Sequence, residues 1–307
     1  MRRRQSGAGA SEKDNVGAAI SLASSTPVAS WLDGFVGGPT RRENGSGMAL
    51  KVVLLAHSPH PEQSVATAAR NCYSPRDIET IDEGWTPEGI EAMVARVRDA
   101  GHLSTFEHTM FTFGVSGVSR ALTHQLVRHR HMSFEQKSQR YIKVKGPFEY
   151  VTTPSIAARP EIKAKYDDLM GEIAAFYAEA LAAGTPAEDA RFALPNAAET
   201  QIVVTANARA LLDFFTLRTC NNAQWEIREL AFAMLRLAKR AAPALFVRAG
   251  ATCVRGYCNE PNGPECPRYI VVKNPVAARR RAGLDEDGPE RSSSEIVADQ
   301  QTAALAG

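Results

Sequence analysis

Core-forming periodicity in this chain is confined to its middle, and that limits what can fold. Residues 1–47 hold eight Gly and seven Ser with neither a two-residue nor a helical apolar repeat, so they bury too little apolar surface to offset their ordering entropy. At the other end, Arg279-Arg280-Arg281 is followed by Asp285-Glu286-Asp287 and Ser292-Ser293-Ser294, charge and serine blocks without core residues. The sequence thus predicts disordered tails at 1–47 and 274–307 around one folded domain, 48–273, long enough to close a full hydrophobic core. Met48, directly before the first apolar run, is a candidate natural start.

Inside that domain the patterns alternate. Ala49 to Ala56 is a short β-branched run that reads as a buried first strand. Pro61 to Tyr73 and Pro87 to Gly101 read as helices with Pro in the first turn, where a missing N–H costs nothing. Phe106 to Val115 alternates like a strand, and Gln201 to Thr205 is strand-like. Ser119 to Arg130 reads as a helix with Leu122, Leu126 and His129 on one face. Longer helices are predicted at Pro160 to Ala183 and Ala223 to Ala241. The fold class is mixed α/β, a single-domain subunit with a central sheet flanked by helices.

Composition excludes several classes of function. Thirty-six basic against 34 acidic side chains give a net charge of +2, too little for a protein that neutralises nucleic-acid phosphate over its whole surface. No run of about 18 apolar residues offers a membrane span. Met1-Arg2-Arg3-Arg4 has the basic flavour of a targeting signal, but Val16 to Trp31 is too broken by Ser, Thr and Pro to be its apolar core. The five cysteines, Cys72, Cys220, Cys253, Cys258 and Cys266, are odd in number and scattered, which fits a reducing, cytoplasmic setting better than a disulfide scaffold.

Basic chemistry is instead local. From Arg128 to Arg140, six of thirteen residues are basic counting both His, and only Glu135 is acidic. Arg grips phosphate in bidentate fashion, while Ser133, Gln136, Ser138 and Gln139 offer shaped hydrogen bonding. The competing readings are a solvated helix end and a single-stranded nucleic-acid surface with Phe134 and Tyr141 as stacking platforms; overall neutrality speaks against the second. His124 and His129 are five apart, off the spacing that shares a helix face, so no metal site is predicted there. In a second cluster, Asn207 to Arg218, the stripe Leu211, Phe215 and Arg218 puts a cation on an apolar face, costly unless it is paired with an acid or bound to a ligand. Arg191 raises the same question. The Cys253-x4-Cys258-x7-Cys266 spacing, with Cys220, invites a zinc reading, but it lacks the paired short spacings of a four-cysteine site. Reduced structural thiols, and no metal, are expected.

Arg128-His129-Arg130 followed by Ser133 and Ser138 resembles the RHR-x-x-S-x-x-x-x-S signature of the flavin-dependent thymidylate synthases. His102 to His108, Gln125, Ala190-Arg191 with Leu194-Pro195, Asn207-Ala208-Arg209, and Arg218 before Gln224-Trp225-Glu226 agree in order and approximate spacing, from about residue 49 to about 250. The resemblance implies reductive methylation of dUMP to dTMP by an FAD-dependent methyltransferase. 5,10-Methylenetetrahydrofolate is the implied carbon donor and NADPH the reductant, in a cytoplasmic homotetramer with sites built between chains. It also implies that no cysteine attacks the pyrimidine. Ser104, Arg128, His129, Arg130, Gln136, Asn207, Ala208, Arg209 and Asp213 match flavin-contacting positions. Gln125, Leu126, Val127, Arg128, Gln136, Lys137, Ser138, Gln139, Arg140, Arg191 and Arg218 match dUMP positions, Gln136 to Arg140 reaching a neighbouring subunit's site. Arg218 matches the catalytic arginine that favours ionisation of the uracil ring nitrogen. The chain departs from the family pattern at Gln136, where some members carry Glu, at Asp213, where Asn is frequent, and at Asn222, where some have His.

Overall fold

Alternation along two long strands sets the centre of the fold. The computed structural model describes residues 50–143, 147–255, 258, 260–263 and 266. In it β1 (Lys51–His57), β2 (Met110–Ser119), β3 (Met132–Gln136) and β4 (Glu199–Asn207) form an antiparallel sheet of order β1-β2-β4-β3. Phe111, Phe113 and Val115 of β2 and Ile202, Val204 and Ala206 of β4 are buried, while the residues between them are more exposed. That is the two-residue period of a sheet with one covered face. The register puts Phe113 opposite Val204, and Phe134 of β3 opposite the same Val204 on its other side.

Helices cover that face. They are α1 (Pro61–Asn71), α2 (Ile78–Glu83), α3 (Pro87–Asp99), α4 (Arg120–Leu126), α5 (Pro154–Ala157), α6 (Pro160–Ala182), α7 (Ala187–Ala190), α8 (Ala208–Arg218), α9 (Trp225–Ala241) and α10 (Pro243–Phe246). The main core joins the strands to Val65 of α1, Val94 of α3, Leu211, Phe214 and Phe215 of α8, Ile227, Leu230 and Met234 of α9, and Phe246 of α10. A satellite cluster of Phe148, Met170 and Ala198 seats α6. Tyr150 donates to Asp167 at 2.8 Å and Tyr166 to the Val151 carbonyl at 3.0 Å, fastening that helix at its polar edge.

Several sequence expectations shift. The first strand is an edge strand with Leu55 exposed, not a buried one; its run meets the core through buried Val52 and the partly buried Leu50 and Leu54. Phe106 is buried in a 3-10 turn, Leu103–His108, and the strand begins only at Met110. The helix expected to Arg130 stops at Leu126, after which Arg128 N–H bonds the Gln125 carbonyl and His129 N–H that of Leu126, the three-residue closure that tightens a helix end. β3 was hidden from sequence because it lies inside the basic segment and its outward residues, Ser133 and Glu135, are polar. The segments 1–47 and 274–307, expected as tails, and Met48 lie outside the described residues.

One buried carboxylate fixes the junction from which the basic segment departs. Ser119 ends β2 and caps α4, its Oγ accepting from Leu122 N–H at 3.0 Å. The same hydroxyl donates to Glu226 Oε2 at 2.6 Å, and Ser119 N–H donates to Glu226 Oε1 at 2.9 Å. Glu226, in the first turn of α9, is only 2% exposed. Replacing it with Ala strands a buried donor, and Glu226→Ala should lose roughly 2–3 kcal/mol in urea unfolding at fixed protein concentration; Glu226→Gln, which keeps one acceptor, should lose less.

Candidate active site

The two cationic segments meet through a histidine. α4 ends so that His129 leaves its last turn half-buried, its ring edge-on to Phe214 of α8 at 5.0 Å between centroids. Arg218, the last residue of α8, donates from Nε to His129 Nε2 at 3.0 Å. Sequence left open an internal salt bridge for Arg218; among the described residues no acid pairs with it. Burial, and then the nearby Arg218 charge, depress His129 from about 6.5 to about 4. The imidazole is therefore neutral near pH 7 and accepts the guanidinium N–H, leaving the guanidinium charge uncompensated.

Around this pair the structure distributes the other sequence-predicted residues. Ser104, Arg128 and Arg130 are exposed. Arg209 is ion-paired with Glu107 of the 3-10 turn. Asn207 caps α8, its Oδ1 accepting from Ala210 N–H at 2.8 Å, which leaves its amide N–H groups and the second lone pair of Oδ1 for a ligand. Leu126 and Ala208 are fully buried, and any ligand contact they make runs through backbone. Gln125 is half-buried, and Val127 and Asp213 are exposed.

A second group gathers elsewhere. Lys137, Ser138 and Gln139, just after β3, line a cleft of about 280 Å³ with Phe148, Leu194 and Thr200. The His129–Arg218 pair does not line it. Gln136 donates to Thr123 Oγ1 at 3.0 Å and Thr200 Oγ1 at 3.3 Å, a neutral anchorage that a glutamate could make only by accepting. Arg140 pairs with Glu188 at 2.9 Å and lies 5.5 Å over the Tyr141 ring. Arg191 donates to the Glu188 carbonyl at 3.0 Å.

Arg120 was missed by sequence reading. Its Nη2 donates to Gln139 Oε1 at 3.0 Å, and burial, then the Arg191 charge, push it below the usual arginine value. Two guanidinium groups held close enough to repel make an anion-seeking surface. A signal was there: Arg120 opens α4, where the helix dipole disfavours a cation, and a residue that breaks a local rule is a candidate for function. Asn222, a position where the chain departs from its family pattern, bonds Glu260 and Asn262.

Known proteins converge on one family. The model for the thymidylate synthase complementing protein family, Thy1, matches residues 53–244. This chain belongs to that family. The flavin-dependent thymidylate synthase of Geobacter sulfurreducens is 46% identical over 225 residues, covering 73% of this chain and 97% of its own length. That of Nitratidesulfovibrio vulgaris is 44% identical, covering 71% and 95%. A solved UMP/dUMP methylase, PolB from Streptomyces cacaoi, bound with 5-Br dUMP, shares the fold with a TM-score of 0.57 at 24% identity, covering 64% of this chain and 93% of its own. The chain is thus an enzyme of mixed α/β fold.

The depressed His129 sets a pH dependence. Above about 6.5 the group is neutral in both folded and unfolded chains and exacts nothing; between there and about 4 only the unfolded chain takes up the proton. Stability should therefore fall as pH drops from about 6.5 to about 4. Melting temperature measured across that range should decline less steeply in His129→Gln than in the parent.

Proposed function

We propose that this enzyme converts dUMP to dTMP with 5,10-methylenetetrahydrofolate as carbon donor, FAD as redox cofactor and NADPH as reductant, as a cytoplasmic homotetramer. The observation that carries the reading is Arg218, a half-buried guanidinium oriented by neutral His129 and paired with no acid among the described residues. A fixed, uncompensated cation favours the ionised form of whatever acidic group is bound beside it. The uracil ring nitrogen of dUMP is such a group, and its loss of a proton raises electron density at the carbon to be methylated.

The donor set suits the flavin. Arg128 and Arg130 are exposed with their charges available, Ser104 offers a short hydroxyl, and Arg209 exchanges an exposed pairing with Glu107 at small cost. Guanidinium groups hold a pyrophosphate in bidentate fashion. When bound, FAD supplies the hydride chemistry between NADPH and the pyrimidine. Asp213 is exposed on α8 and free to turn from a phosphate.

Arg120 and Arg191 suit the dUMP phosphate, with Gln139 steadying Arg120 and Ser138 offering a hydroxyl in the adjoining cleft. The cleft lined by Ser138 and Gln139 does not include the His129–Arg218 pair, which supports sites completed by a neighbouring copy. So do two bare aromatic residues: Phe192 is 85% exposed and Tyr141 79%, large apolar surfaces that assembly covers.

Purified protein should be yellow or become so with FAD, run as a tetramer in light scattering, and oxidise NADPH only when dUMP and the folate are present. A protein that stays colourless after FAD addition sinks the reading. Arg218→Ala should keep flavin and lose about 100-fold or more in kcat, whereas Arg191→Ala should act mainly on the KM for dUMP.

A further inference from the structure

Four of the five cysteines converge where no step of the proposed reaction needs a thiol. Cys220 lies in the turn between α8 and α9, two residues after Arg218. Cys253 is buried in the 3-10 turn Thr252–Arg255, and Cys258 and Cys266 follow in the irregular segment beyond it. All four line one cavity of about 20 Å³, the size of a single water or ion. Cys72 is exposed on the far side of the sequence and takes no part. No disulfide joins any two of the four.

Polar contacts tie the α8–α9 turn to this cluster. Asn221 donates from Nδ2 to Cys266 Sγ at 3.2 Å, the outer hydrogen bond that orients a sulfur toward a metal. Asn222 donates to Glu260 Oε2 at 2.7 Å and to Asn262 Oδ1 at 3.0 Å. The α8–α9 turn therefore already grips the segment carrying Cys258 and Cys266. Among the described residues after Ala251, a few turn hydrogen bonds hold the chain and Cys253 is the buried apolar side chain. Segments of this composition gain a fixed shape from cross-links rather than from burial.

We propose that Cys220, Cys253, Cys258 and Cys266 form a tetrathiolate site for one zinc ion, which clamps the segment after α10 onto the turn that follows Arg218. Sequence spacing argued against zinc because the downstream cysteines lack two short pairs; the fold supplies the missing ligand from the distant α8–α9 turn. Among the described residues no group of three or more His, Cys, Asp or Glu stands arranged to hold a metal ion; binding would draw the thiols inward and release their protons, with Zn–S bonds of about 2.3 Å. Four sulfur ligands leave no open position, and soft thiolates select zinc over hard cations. The ion is structural and takes no part in methyl transfer.

The test is metal content, which reads independently of thymidylate synthesis. Full-length protein purified without metal-affinity resin should hold about one zinc per chain by mass spectrometry. The ion should be lost in Cys258→Ser and Cys266→Ser and kept in Cys72→Ser. Cobalt exchanged for zinc should give the visible bands of a tetrahedral thiolate centre, to the red of flavin absorption. Should the serine variants fail to fold, thiol titration of the parent decides: one reactive cysteine before chelation and five after it supports the site. Folded protein that holds no zinc overturns it, as does a disulfide between any two of the four.

Discussion

The buried Glu226 carboxylate is the contact on which the arrangement of the basic segment depends. It reaches from the first turn of α9, a helix packed in the main core, to both the N–H and the hydroxyl of Ser119. Ser119 is simultaneously the last residue of β2 and the cap of α4. A charge removed from water is tolerated only when several donors satisfy it, and here those donors stand at the point where strand becomes helix. The helix so anchored carries Arg120 in its first turn and delivers His129 just past its last. A guanidinium and a neutral imidazole at opposite ends of one short helix thus inherit their positions from a single polar contact in the core.

The same economy holds Arg218. α8 begins with Asn207 capping its own helix and ends with a guanidinium, and between them Leu211, Phe214 and Phe215 are fully buried. The apolar stripe leaves Arg218 no choice of face. Its partner is an imidazole kept neutral by burial, which steers the guanidinium without cancelling its charge. An acid in that place would have made a stronger pair and a poorer electrostatic device.

How much of this was legible depended on whether a feature was local. The strips Phe111, Phe113, Val115 and Leu211, Phe215 announced themselves by period, because a side chain's facing direction follows from its position along one element. The RHR segment was recognisable by residue type in fixed order. What sequence could not show was which distant partner meets which: the side chain that Arg218 meets is neutral His129, neither of the partners left open for it, and Arg120 acquired its meaning only beside Arg191. β3 escaped because a short edge strand with polar outward residues has no apolar repeat to read. Arg128 to Arg140, weighed from sequence as a solvated helix end against a binding surface, is a helix end, a turn, a strand and the chain just after it.

The cysteines show the limit of spacing arguments most clearly. A ligand set counted along the chain is judged by gaps between neighbours, yet coordination is judged by where the fold puts the sulfurs. Cys220 belongs by sequence to the α8–α9 turn and by position to the cavity lined by Cys253, Cys258 and Cys266. The turn is constrained on one side by Arg218, whose charge must stay aligned with His129, and on the other by Gln224, whose side chain caps α9 by accepting from Glu226 and Ile227 N–H. A short loop fixed at both ends transmits displacement from its middle. Anchoring Asn221 and Asn222 to the segment beyond α10 therefore does more than tidy the surface, because it restrains the loop that separates the guanidinium from the buried carboxylate holding α4 in place.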